Sequence, residues 1–499
     1  MIKLFLLSWF GIGLQASYCA AQSPSTGPAV AAGGVFTLSL RADGSLWSWG
    51  SNSHGTLGDS SLLAQRVRPN VIATPPRAAG TSWSFVDASD TNSAALRSDG
   101  SLWVWGQNTY GQIGNGVSGS AQYVPRRVPT PPLATPGTTW TQVELGQMTT
   151  LALRSDYSLW GWGRSDRGML GNGTLGPDIV NPAQVITPST AAVNTYWTSM
   201  AAGQVFAVAL RSDGTLWAWG YTGDGSLGGG VSTVPIESAP VQVAAPVGTA
   251  PGAQWTQVAA GYAHALALRS DGSLWAWGSN NTGQLGIGTT AARSFVPVRV
   301  DTPAGAALGT TWLKVWAGNE HSLALRSDST LWVWGRNTEG QLGDNTTITR
   351  LAPVQEFTHG RWISASAGQF HSLAMRAGRV HASGGMDFNT NAGQLGDGTR
   401  NGSAYFRPCL VPLLALEPAA GFLMAVYPNP AHGSVSVKNM PSRAQVKLYD
   451  LSGHLCRQYD NDAVSATKQL DVQDIAPGLY LLCIQSQRGE KRMMRLTIN

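Results

Sequence analysis

Short runs of alternating apolar and polar residues, each bounded by turn residues, follow one another along most of the chain. Between residues 255 and 300 they read Trp255-Thr-Gln-Val-Ala-Ala-Gly, His264-Ala-Leu-Ala-Leu-Arg, Ser273-Leu-Trp-Ala-Trp-Gly and Phe295-Val-Pro-Val-Arg-Val. Alternation over four to eight residues predicts half-buried strands. Asp271-Gly272 favours a two-residue hairpin, because both central positions of such a turn need positive φ. The stretch therefore predicts four antiparallel strands.

The four-strand pattern is repeated. Trp-x-Trp-Gly occurs six times, with starts 56, 57, 57, 58 and 57 residues apart. Gly-x-Leu/Ile-Gly occurs seven times, at residues 55, 111, 168, 225, 283, 340 and 393. A fixed period indicates a repeat architecture, and four strands per repeat are typical of a propeller blade. We predict an all-β chain with a seven-bladed β-propeller followed by a small C-terminal β-sandwich. The seventh repeat has His381 and Ser383 in place of two tryptophans, which predicts looser packing there.

The repeated motifs are Ala-Gly-x-x-His-Ser/Ala-Leu-Ala-Leu, Leu-Trp-x-Trp-Gly and Asn-x-x-Gly-Gln-Leu-Gly. They resemble the regulator of chromosome condensation repeat over about three quarters of the chain. Members of that family form seven-bladed propellers, so the resemblance implies this fold for residues 22–414. The family includes a nucleotide exchange factor for a nuclear GTPase. That role does not transfer to a chain with export signals at both ends.

The first 21 residues read as a secretory signal peptide, with Lys3, an apolar run to Leu14 and small residues before Gln22. Cleavage before Gln22 is expected. Lipidation of Cys19 is the alternative, although Tyr18 does not fit the small residue that such sites prefer. The apolar run is too short to span a bilayer, and no other segment predicts a transmembrane helix.

A second β-rich module follows a linker at residues 415–421. Its landmarks are Val426-Tyr-Pro-Asn-Pro430, Val446-Lys-Leu-Tyr-Asp450 and Ile475-Ala-Pro-Gly478. These landmarks resemble the C-terminal sorting domain of the type IX secretion system of Bacteroidetes over residues 422–499. The resemblance implies that this machinery is a partner and that the protein is secreted or placed on the outer cell surface. An ordinary accessory sandwich is the alternative. Cys456 and Cys483 could pair there or remain buried free thiols.

Composition adds little once the repeats are subtracted. Eighteen of the 20 tryptophans belong to the blade pattern, which removes an aromatic glycan-binding site as the reason for them. Residues 22–420 contain 23 Lys and Arg against 22 Asp and Glu, so we expect no nucleic-acid binding. Seven arginines occupy one equivalent strand position, in most blades two residues before an Asp. We interpret them as Arg–Asp pairs at the blade edges.

No residues stand out for catalysis, a cofactor or a metal. His264, His321 and His371 occupy equivalent positions, so a metal site is conceivable. We interpret them as structural, because other blades place Phe, Asn or Thr there and the family motif carries His without a metal. The sequence shows no phosphate loop, zinc-protease helix or EF-hand loop. We therefore predict no catalytic residue, no cofactor and no metal ligand.

The variable positions lie in the loops before each Gly-x-Leu/Ile-Gly, which should cluster on one face of the disc. Loops on a rigid scaffold are where binding residues concentrate, and Tyr and Arg are enriched at binding hot spots. The candidate binding residues are Tyr110, Arg164, Arg167, Tyr221 and Arg336. Solvated turn residues without a partner are the alternative.

These observations predict a secreted or cell-surface interaction protein that is not an enzyme and binds an unknown protein or glycan. One alternative is an extracellular propeller enzyme acting on polysaccharide, which requires two carboxylates on different blades within about 10 Å in a cleft. Another is an inhibitor of a secreted enzyme, since a bacterial propeller with similar repeats blocks β-lactamases. The binding hypothesis expects a shallow face of aromatic and Arg side chains without strongly shifted pKa values.

Overall fold

The computed structural model describes residues 29–73, 81–248, 252–387, 391–410, 425–432, 434–438, 445–450, 455–459, 467–485 and 491–498. Two compact units divide the chain at residues 413 and 414. The leader at residues 1–21 and the linker at residues 415–421 lie outside the described residues, so the domain limits stay predictions. The described part consists of strands and turns and contains no helix.

Seven antiparallel four-stranded sheets form the first unit, each from consecutive strands. Blades one and two contain β1 (Ala29–Ala32), β2 (Phe36–Leu40), β3 (Leu46–Ser51), β4 (Gln65–Val71), β5 (Trp83–Ala88), β6 (Asn92–Arg97), β7 (Leu102–Asn108) and β8 (Gly119–Arg127). Blades three and four contain β9 (Trp140–Leu145), β10 (Thr149–Arg154), β11 (Leu159–Gly163), β12 (Ile179–Gln184), β13 (Trp197–Ala202), β14 (Phe206–Arg211), β15 (Leu216–Tyr221) and β16 (Ile236–Gln242).

Blades five to seven follow the same order. They contain β17 (Trp255–Ala260), β18 (His264–Arg269), β19 (Leu274–Ser279), β20 (Arg293–Arg299), β21 (Trp312–Ala317), β22 (His321–Arg326), β23 (Leu331–Gly335), β24 (Arg350–Gln355), β25 (Ser364–Ala367), β26 (His371–Arg376), β27 (Arg379–Gly384) and β28 (Ser403–Pro408). The first strand of each blade contacts the first strands of both neighbouring blades, and β25 contacts β1. The ring is therefore closed, and the predicted seven-bladed propeller is confirmed.

A hydrogen bond from a buried indole crosses the seam between neighbouring blades. In six blades the second tryptophan of Trp-x-Trp-Gly donates its Nε1–H, over 2.8–3.0 Å, to the carbonyl after the first Gly of the preceding Gly-x-Leu/Ile-Gly turn. All six indoles are fully buried. The last Gly of the turn has to be Gly: at Gly286 φ is +68°, and a Cβ there would lie 2.7 Å from the Trp334 nitrogen.

The three equivalent histidines are part of these seams. His264 Nε2 lies 3.0 Å from Ser322 Oγ in the next blade, and Ser322 donates to the carbonyl of Gln284. His321 Nε2 contacts Ser372 Oγ at 2.9 Å, and His371 Nε2 contacts Thr37 Oγ1 at 3.1 Å across the closing seam. Burial lowers the pKa of each imidazole to about 3, so all three are neutral. Their contacts assign them a structural role.

The repeated arginines stack on tryptophans. In six blades the guanidinium carbon lies 4.6–4.9 Å from the ring centroid of the tryptophan that opens the blade, as in Arg154 over Trp140. Arg154 Nε also donates to Thr138 Oγ1 at 2.9 Å. The following Asp instead accepts from the hairpin, since Asp156 Oδ1 binds the backbone N–H and hydroxyl of Ser158. These contacts replace the predicted blade-edge pairing with cation–π stacking.

Blade seven retains the seam by other means. Ser383 Oγ donates to the carbonyl of Gln341 at 3.2 Å, as the indole does elsewhere. The missing ring volume is supplied by buried Phe406, whose centroid lies 5.3 Å from that of Trp362 and whose ring packs against Gly343. Strand register places proline at the position of Phe406 in the other six blades, at residues 69, 125, 182, 240, 297 and 353. The expectation of looser packing is therefore wrong.

The second unit is the predicted β-rich module. Its strands are β29 (Ala425–His432), β30 (Ser434–Lys438), β31 (Gln445–Tyr449), β32 (Leu455–Tyr459), β33 (Thr467–Asp471), β34 (Gly478–Gln485) and β35 (Lys491–Ile498), in the spatial order β32-β31-β34-β35-β29-β30-β33. Apolar residues from both ends of this order, such as Val435 and Leu448, form one buried core. Cys409 and Cys483 form no disulfide bond.

In blade seven, Ser383 and Phe406 stand where the other blades have tryptophan and proline. We expect that restoring only one of these two residues destabilises the protein and that restoring both compensates in part. Ser383→Trp alone overpacks the seam and should lower the free energy of unfolding by about 1–3 kcal/mol. Phe406→Pro alone leaves a cavity and should lower it by about 3 kcal/mol. The double variant should recover at least about 1 kcal/mol of the sum. Urea unfolding of the full chain, followed by tryptophan fluorescence, measures all three. Strict additivity would contradict this account.

Candidate functional site

The antiparallel strand order of every blade separates two faces of the propeller. The turns between first and second strands and the loops between third and fourth strands lie on one face, called here the loop face. The hairpins between second and third strands and the connections between blades lie on the opposite face. All five candidate binding residues lie at or just before the third-to-fourth strand loops, and therefore on the loop face.

Arg164 and Tyr110 are brought together across the seam between blades two and three. The Arg164 guanidinium carbon lies 5.3 Å from the Tyr110 ring centroid. Arg164 also forms a bidentate pair with Asp166, with both N–O distances at 2.7 Å. The hydrogen bonds that Arg164 donates to Asp166 raise the pKa of the guanidinium. Arg164 is therefore a half-buried cation that Asp166 holds against the ring of Tyr110.

A second Arg–Tyr pair crosses the next seam. The Arg167 guanidinium carbon lies 5.5 Å from the Tyr221 ring centroid. Arg293 of blade five donates to the carbonyl of Gly223, beside Tyr221. The loops of blades two to five are thus joined side by side, and four of the five candidate residues form two adjacent pairs.

Arg336 belongs to a separate group in blade six. Its Nη1 donates to Glu320 Oε2 at 2.9 Å, and Glu339 lies 3.9 Å away. Its guanidinium carbon lies 5.8 Å from the ring centroid of Phe370 in blade seven. The structure therefore surrounds Arg336 with its own partners and does not place it against the two Arg–Tyr pairs.

A ring of side chains at the axis was missed by the sequence reasoning. Each first-to-second strand turn has a variable residue after a Gly or Ser, and this position would have been found by comparing the repeats residue by residue. In blades two to seven it holds a polar residue. These residues, called here the axial ring, are Asp90, Gln147, Gln204, Tyr262, Asn319 and Gln369.

The axial ring is joined by hydrogen bonds around and across the channel. Gln147 Nε2 donates to Asp90 Oδ2 at 2.8 Å, and Gln204 donates to Gln147. Asn319 of blade six binds Asp90 of blade two from the far side. All members of the ring except Gln369 line a cavity of about 80 Å³, whose wall is otherwise mainly Ala and Gly of the inner strands. Burial raises the pKa of Asp90, against the hydrogen bonds from Gln147 and Asn319.

Two further carboxylates lie on the inner strands beside this cavity. Asp87 Oδ2 accepts from the backbone N–H of Leu145 at 2.7 Å, which places it next to Glu144 of blade three. Burial raises the pKa of Asp87 to about 7. Burial, together with the charge of Asp87, raises the pKa of Glu144 well above its usual range. Their neighbours Ala88 and Leu145 line the cavity, whereas the two carboxylates themselves do not.

Within the described residues there is no group of three or more His, Cys, Asp or Glu placed to hold a metal ion. The part of the chain that the structure describes also contains no helix long and apolar enough to cross a membrane.

This geometry defines a propeller of the chromosome-condensation-regulator type. Residues 129–426 match the RCC1-like domain, and RCC1 repeats match residues 29–56, 83–112 and 99–153. The chain belongs to the RCC1-like domain family. Residues 425–499 match the secretion system C-terminal sorting domain, which indicates export to the cell surface or secretion.

Relatives share the propeller and differ in length. The ultraviolet-B receptor UVR8 of Arabidopsis thaliana is 30% identical over 270 residues, which are 53% of this chain and 56% of the receptor. The mitochondrial RCC1 domain-containing protein RUG3 of the same plant is 29% identical over 68% of this chain and 75% of its own length. The human E3 ubiquitin-protein ligase HERC2 is 28% identical over 76% of this chain and 7% of the ligase. The chain thus spans only about half of the receptor and a small part of the ligase.

Solved structures show the same fold. Human WBSCR16 aligns with 70% of this chain and 87% of its own, at a TM-score of 0.62 and 22% identity. Yeast Prp20, solved bound to Kap60, aligns with 68% of this chain and 78% of its own, at a TM-score of 0.58 and 23% identity.

The raised pKa values of Asp87 and Glu144 should make the free energy of unfolding fall as pH rises. Because the folded pKa values are raised, the folded protein keeps protons that the unfolded chain loses above about pH 4. This stabilisation is complete below that pH and is lost as pH rises through about 7 for Asp87. The free energy of unfolding of Glu144→Gln, relative to that of wild type, should therefore rise by up to about 1.4 kcal/mol per pH unit between pH 5 and 8. The difference between the two unfolding curves removes the opposite contribution of the buried histidines.

Asp271→Asn is the control for this experiment. Burial acts to raise the pKa of Asp271, but hydrogen bonds from Ser273 hold it below its usual range. Asp271 is therefore ionised in both states between pH 5 and 8, and its variant should differ from wild type by a constant amount. If the difference in unfolding free energy between Glu144→Gln and wild type were equally constant with pH, it would contradict the raised pKa of Glu144.

Proposed function

We propose that this exported protein is an interaction protein whose loop face binds a protein or glycan partner at the cell surface or outside the cell. The observation that carries the proposal is the pairing of Arg164 with Tyr110 and of Arg167 with Tyr221 on adjacent loops. Arg and Tyr side chains dominate binding hot spots. Here they are held by neighbours before a partner arrives, which reduces the rotamer entropy lost on binding.

The charges on this face favour such a partner over a polyanion. Arg164 is neutralised by Asp166, and Arg336 by Glu320 and Glu339. A nucleic-acid surface needs a continuous row of uncompensated cations. Paired charges on aromatic rings instead provide directional hydrogen bonds, which suit a protein surface or hydroxyl groups.

The fold supports a protein partner in other family members. The yeast protein Prp20p was characterised for its binding to Gsp1p and histones and was solved bound to Kap60. At 23% identity that likeness concerns the fold, so those particular partners are not proposed here.

The opposite face exposes apolar side chains but offers a weaker case. Leu133, Val193, Val247 and Leu308 are at least 85% exposed on separate connections between blades. Single exposed apolar residues are common on soluble proteins and do not by themselves mark an interface.

A second candidate is the polysaccharide-cleaving enzyme, which the Asp87 and Glu144 pair favours. The two carboxylates lie on adjacent blades and have raised pKa values. The cavity beside them measures about 80 Å³. Sites that enclose a ligand usually measure about 300–1,000 Å³, so this cavity is too small to enclose a saccharide ring. We therefore rank this candidate below the binding protein.

A screen of the full chain on glycan and surface-protein arrays tests the proposal. The ligand found should bind at least tenfold more weakly to the Tyr110→Ala/Arg164→Ala and Arg167→Ala/Tyr221→Ala variants, since hot-spot truncations cost about 2 kcal/mol or more. Tyr157→Ala is the matched control, because Tyr157 is an exposed ring on the opposite face, stacked on Tyr196 at 4.2 Å. Turnover of a polysaccharide without a stable ligand, or equal losses in the control, would overturn the proposal.

Deletion of residues 422–499 should leave the protein inside the outer membrane of a host with type IX secretion. The reason is that the sorting domain is a separate unit with its own core, so its removal takes away the export signal and spares the propeller. Cell fractionation and surface proteolysis measure the outcome. Tryptophan fluorescence verifies that the propeller remains folded. Surface display of the truncated chain at the level of the full chain would refute a sorting role for this tail.

A further inference from the structure

In two blades an ion pair joins the third-to-fourth strand loop to the fourth strand. In blade one Arg66 pairs with Asp59, and in blade six Arg350 Nε donates to Asp344 Oδ2 at 2.7 Å. Both aspartate side chains are at most 4% exposed, and both arginines lie opposite the last Gly of Trp-x-Trp-Gly. These blades therefore fill the space between loop and strand with one carboxylate and one guanidinium.

Blade four changes both members of this pair. Gly229 stands where blades one and six have Asp, and Glu237 lies opposite Gly220, where they have Arg. The backbone does not require glycine at residue 229, because its φ is not in the left-handed region. A Cβ there would approach one atom within 4 Å, the carbonyl oxygen of Gln242 at 3.3 Å. The two replacements remove one carboxylate and reverse the charge at the strand position.

A cavity of about 170 Å³ lies between this loop and its strands. Gly228, Gly229 and Gly230 form part of its wall, together with the exposed side chain of Val231. The loop is also longer than the others, since 12 residues separate Gly225 from the fourth-strand position and ten or 11 do so elsewhere. At about 30 Å³ per water molecule, the cavity holds about five or six waters, which is room for a guanidinium and part of its stem.

The charge in this cavity comes from Glu237. It is the only charged residue among the described residues that line the wall. Ser232 Oγ donates to Glu237 Oε1 at 3.2 Å, and the N–H of Val234 donates to Ser232 Oγ at 3.2 Å. Within the part of the chain that the structure describes, Glu237 accepts no other hydrogen bond and forms no ion pair. A carboxylate has about four acceptor sites, so most of its capacity is unused.

Neighbouring cations do not compete for this carboxylate. Residues 221–242 contain two acidic residues and no Lys or Arg. On the flanking blades, Arg167 stacks on Tyr221 and Arg293 donates to a backbone carbonyl. The charge of Glu237 is therefore open to a group from another molecule.

The shape and chemistry of the cavity favour a guanidinium. Its planar fork of N–H donors matches a carboxylate, whereas an ammonium is a compact and strongly hydrated charge. Calcium requires six to eight oxygen ligands, and this wall offers one carboxylate. Val231 and Val241 line the cavity and provide apolar surface for a methylene stem. Blades one and six place a guanidinium of the chain itself in the equivalent space.

We propose that the cavity in blade four binds the guanidinium of an arginine side chain from the protein partner, with Glu237 as its counter-ion. The inference rests on the proposed function, because it assumes that a protein covers the loop face. Thr222 lines the cavity and directly follows Tyr221, so the site adjoins the Arg167–Tyr221 pair. A site of this kind favours a protein over a neutral glycan.

The probe is Nα-acetyl-arginine methylamide, titrated into the full chain and followed by ligand-observed NMR. The expected result is saturable binding at one site. The citrulline analogue has nearly the same shape without the charge and should bind at least tenfold more weakly. The lysine analogue lacks the planar fork and should bind at least threefold more weakly.

Glu237→Gln keeps the shape of the side chain, removes its charge and should weaken probe binding at least tenfold. Asp213→Asn is the matched control, because it removes one carboxylate from the hairpin of the same blade on the opposite face, and it should leave binding unchanged. Gly229→Asp/Glu237→Arg rebuilds the ion pair of blades one and six inside the cavity. This double variant should abolish probe binding without lowering the midpoint of thermal unfolding, which separates loss of the site from misfolding.

Equal binding of the arginine and citrulline probes, a lysine probe that binds as tightly as arginine, or undiminished binding to either Glu237 variant would overturn the inference. The two proposals fail separately. A partner that depends on the Arg–Tyr pairs, together with no binding of the arginine probe, would leave the proposed function standing and remove this inference. Probe binding that depends on Glu237, together with no ligand on the arrays, would keep the guanidinium site and remove the proposed function.

Discussion

The hydrogen bond from a buried indole to a turn carbonyl of the preceding blade is the contact on which the propeller depends. It joins the third strand of one blade to the third-to-fourth strand turn of its neighbour, for example Trp334 to Gln284. The donor is fully buried, so its loss would leave an unsatisfied polar group as well as a cavity. Because the acceptor belongs to a loop of the loop face, the same bond that holds the blades together also fixes the binding loops.

Blade seven shows that the seam needs a hydrogen-bond donor and a ring to fill the space, but not a tryptophan that supplies both. Ser383 replaces the indole as donor, and Phe406 replaces its ring volume from a strand where other blades have proline. The closing seam uses the same contacts as the others, with Trp49 donating to Gln394. Every described blade is built from consecutive strands, so the ring is not closed by a strand shared between its ends. Side-chain contacts, packing and backbone hydrogen bonds between loops, such as that from Gly398 N–H to the carbonyl of Val67, close it.

The sequence predicts the scaffold well because the scaffold is repeated. Period, hairpin dipeptides and turn glycines each occur several times and agree with one another, so the blade count and strand order followed from them. Contacts that depend on a neighbouring blade could not be read from one strand. Spacing along one strand suggests a pair of Arg154 with Asp156, because it cannot show that Trp140 lies opposite Arg154 on the adjacent strand of the same blade. The substitution of Phe406 for proline became meaningful only through strand register.

The candidate site was predicted in part for the same reason. Tyr110 and Arg164 were chosen by residue type and loop position, but their mutual contact required the geometry of two blades. The axial ring was missed because its members are ordinary polar residues 50–58 positions apart in sequence. Only the closed ring brings them to one axis. The seams use equivalent contacts in every blade and form a rigid frame. The loops on this frame differ in sequence from blade to blade and present different side chains.

Hydrogen–deuterium exchange of the full chain with and without its partner tests most directly whether the loop face is the binding surface. The account predicts that protection upon binding is confined to the first-to-second strand turns and the third-to-fourth strand loops, with the largest effect at residues 108–112 and 164–168. Protection confined to the hairpins and the connections around Leu133, Val193 and Leu308 would contradict it.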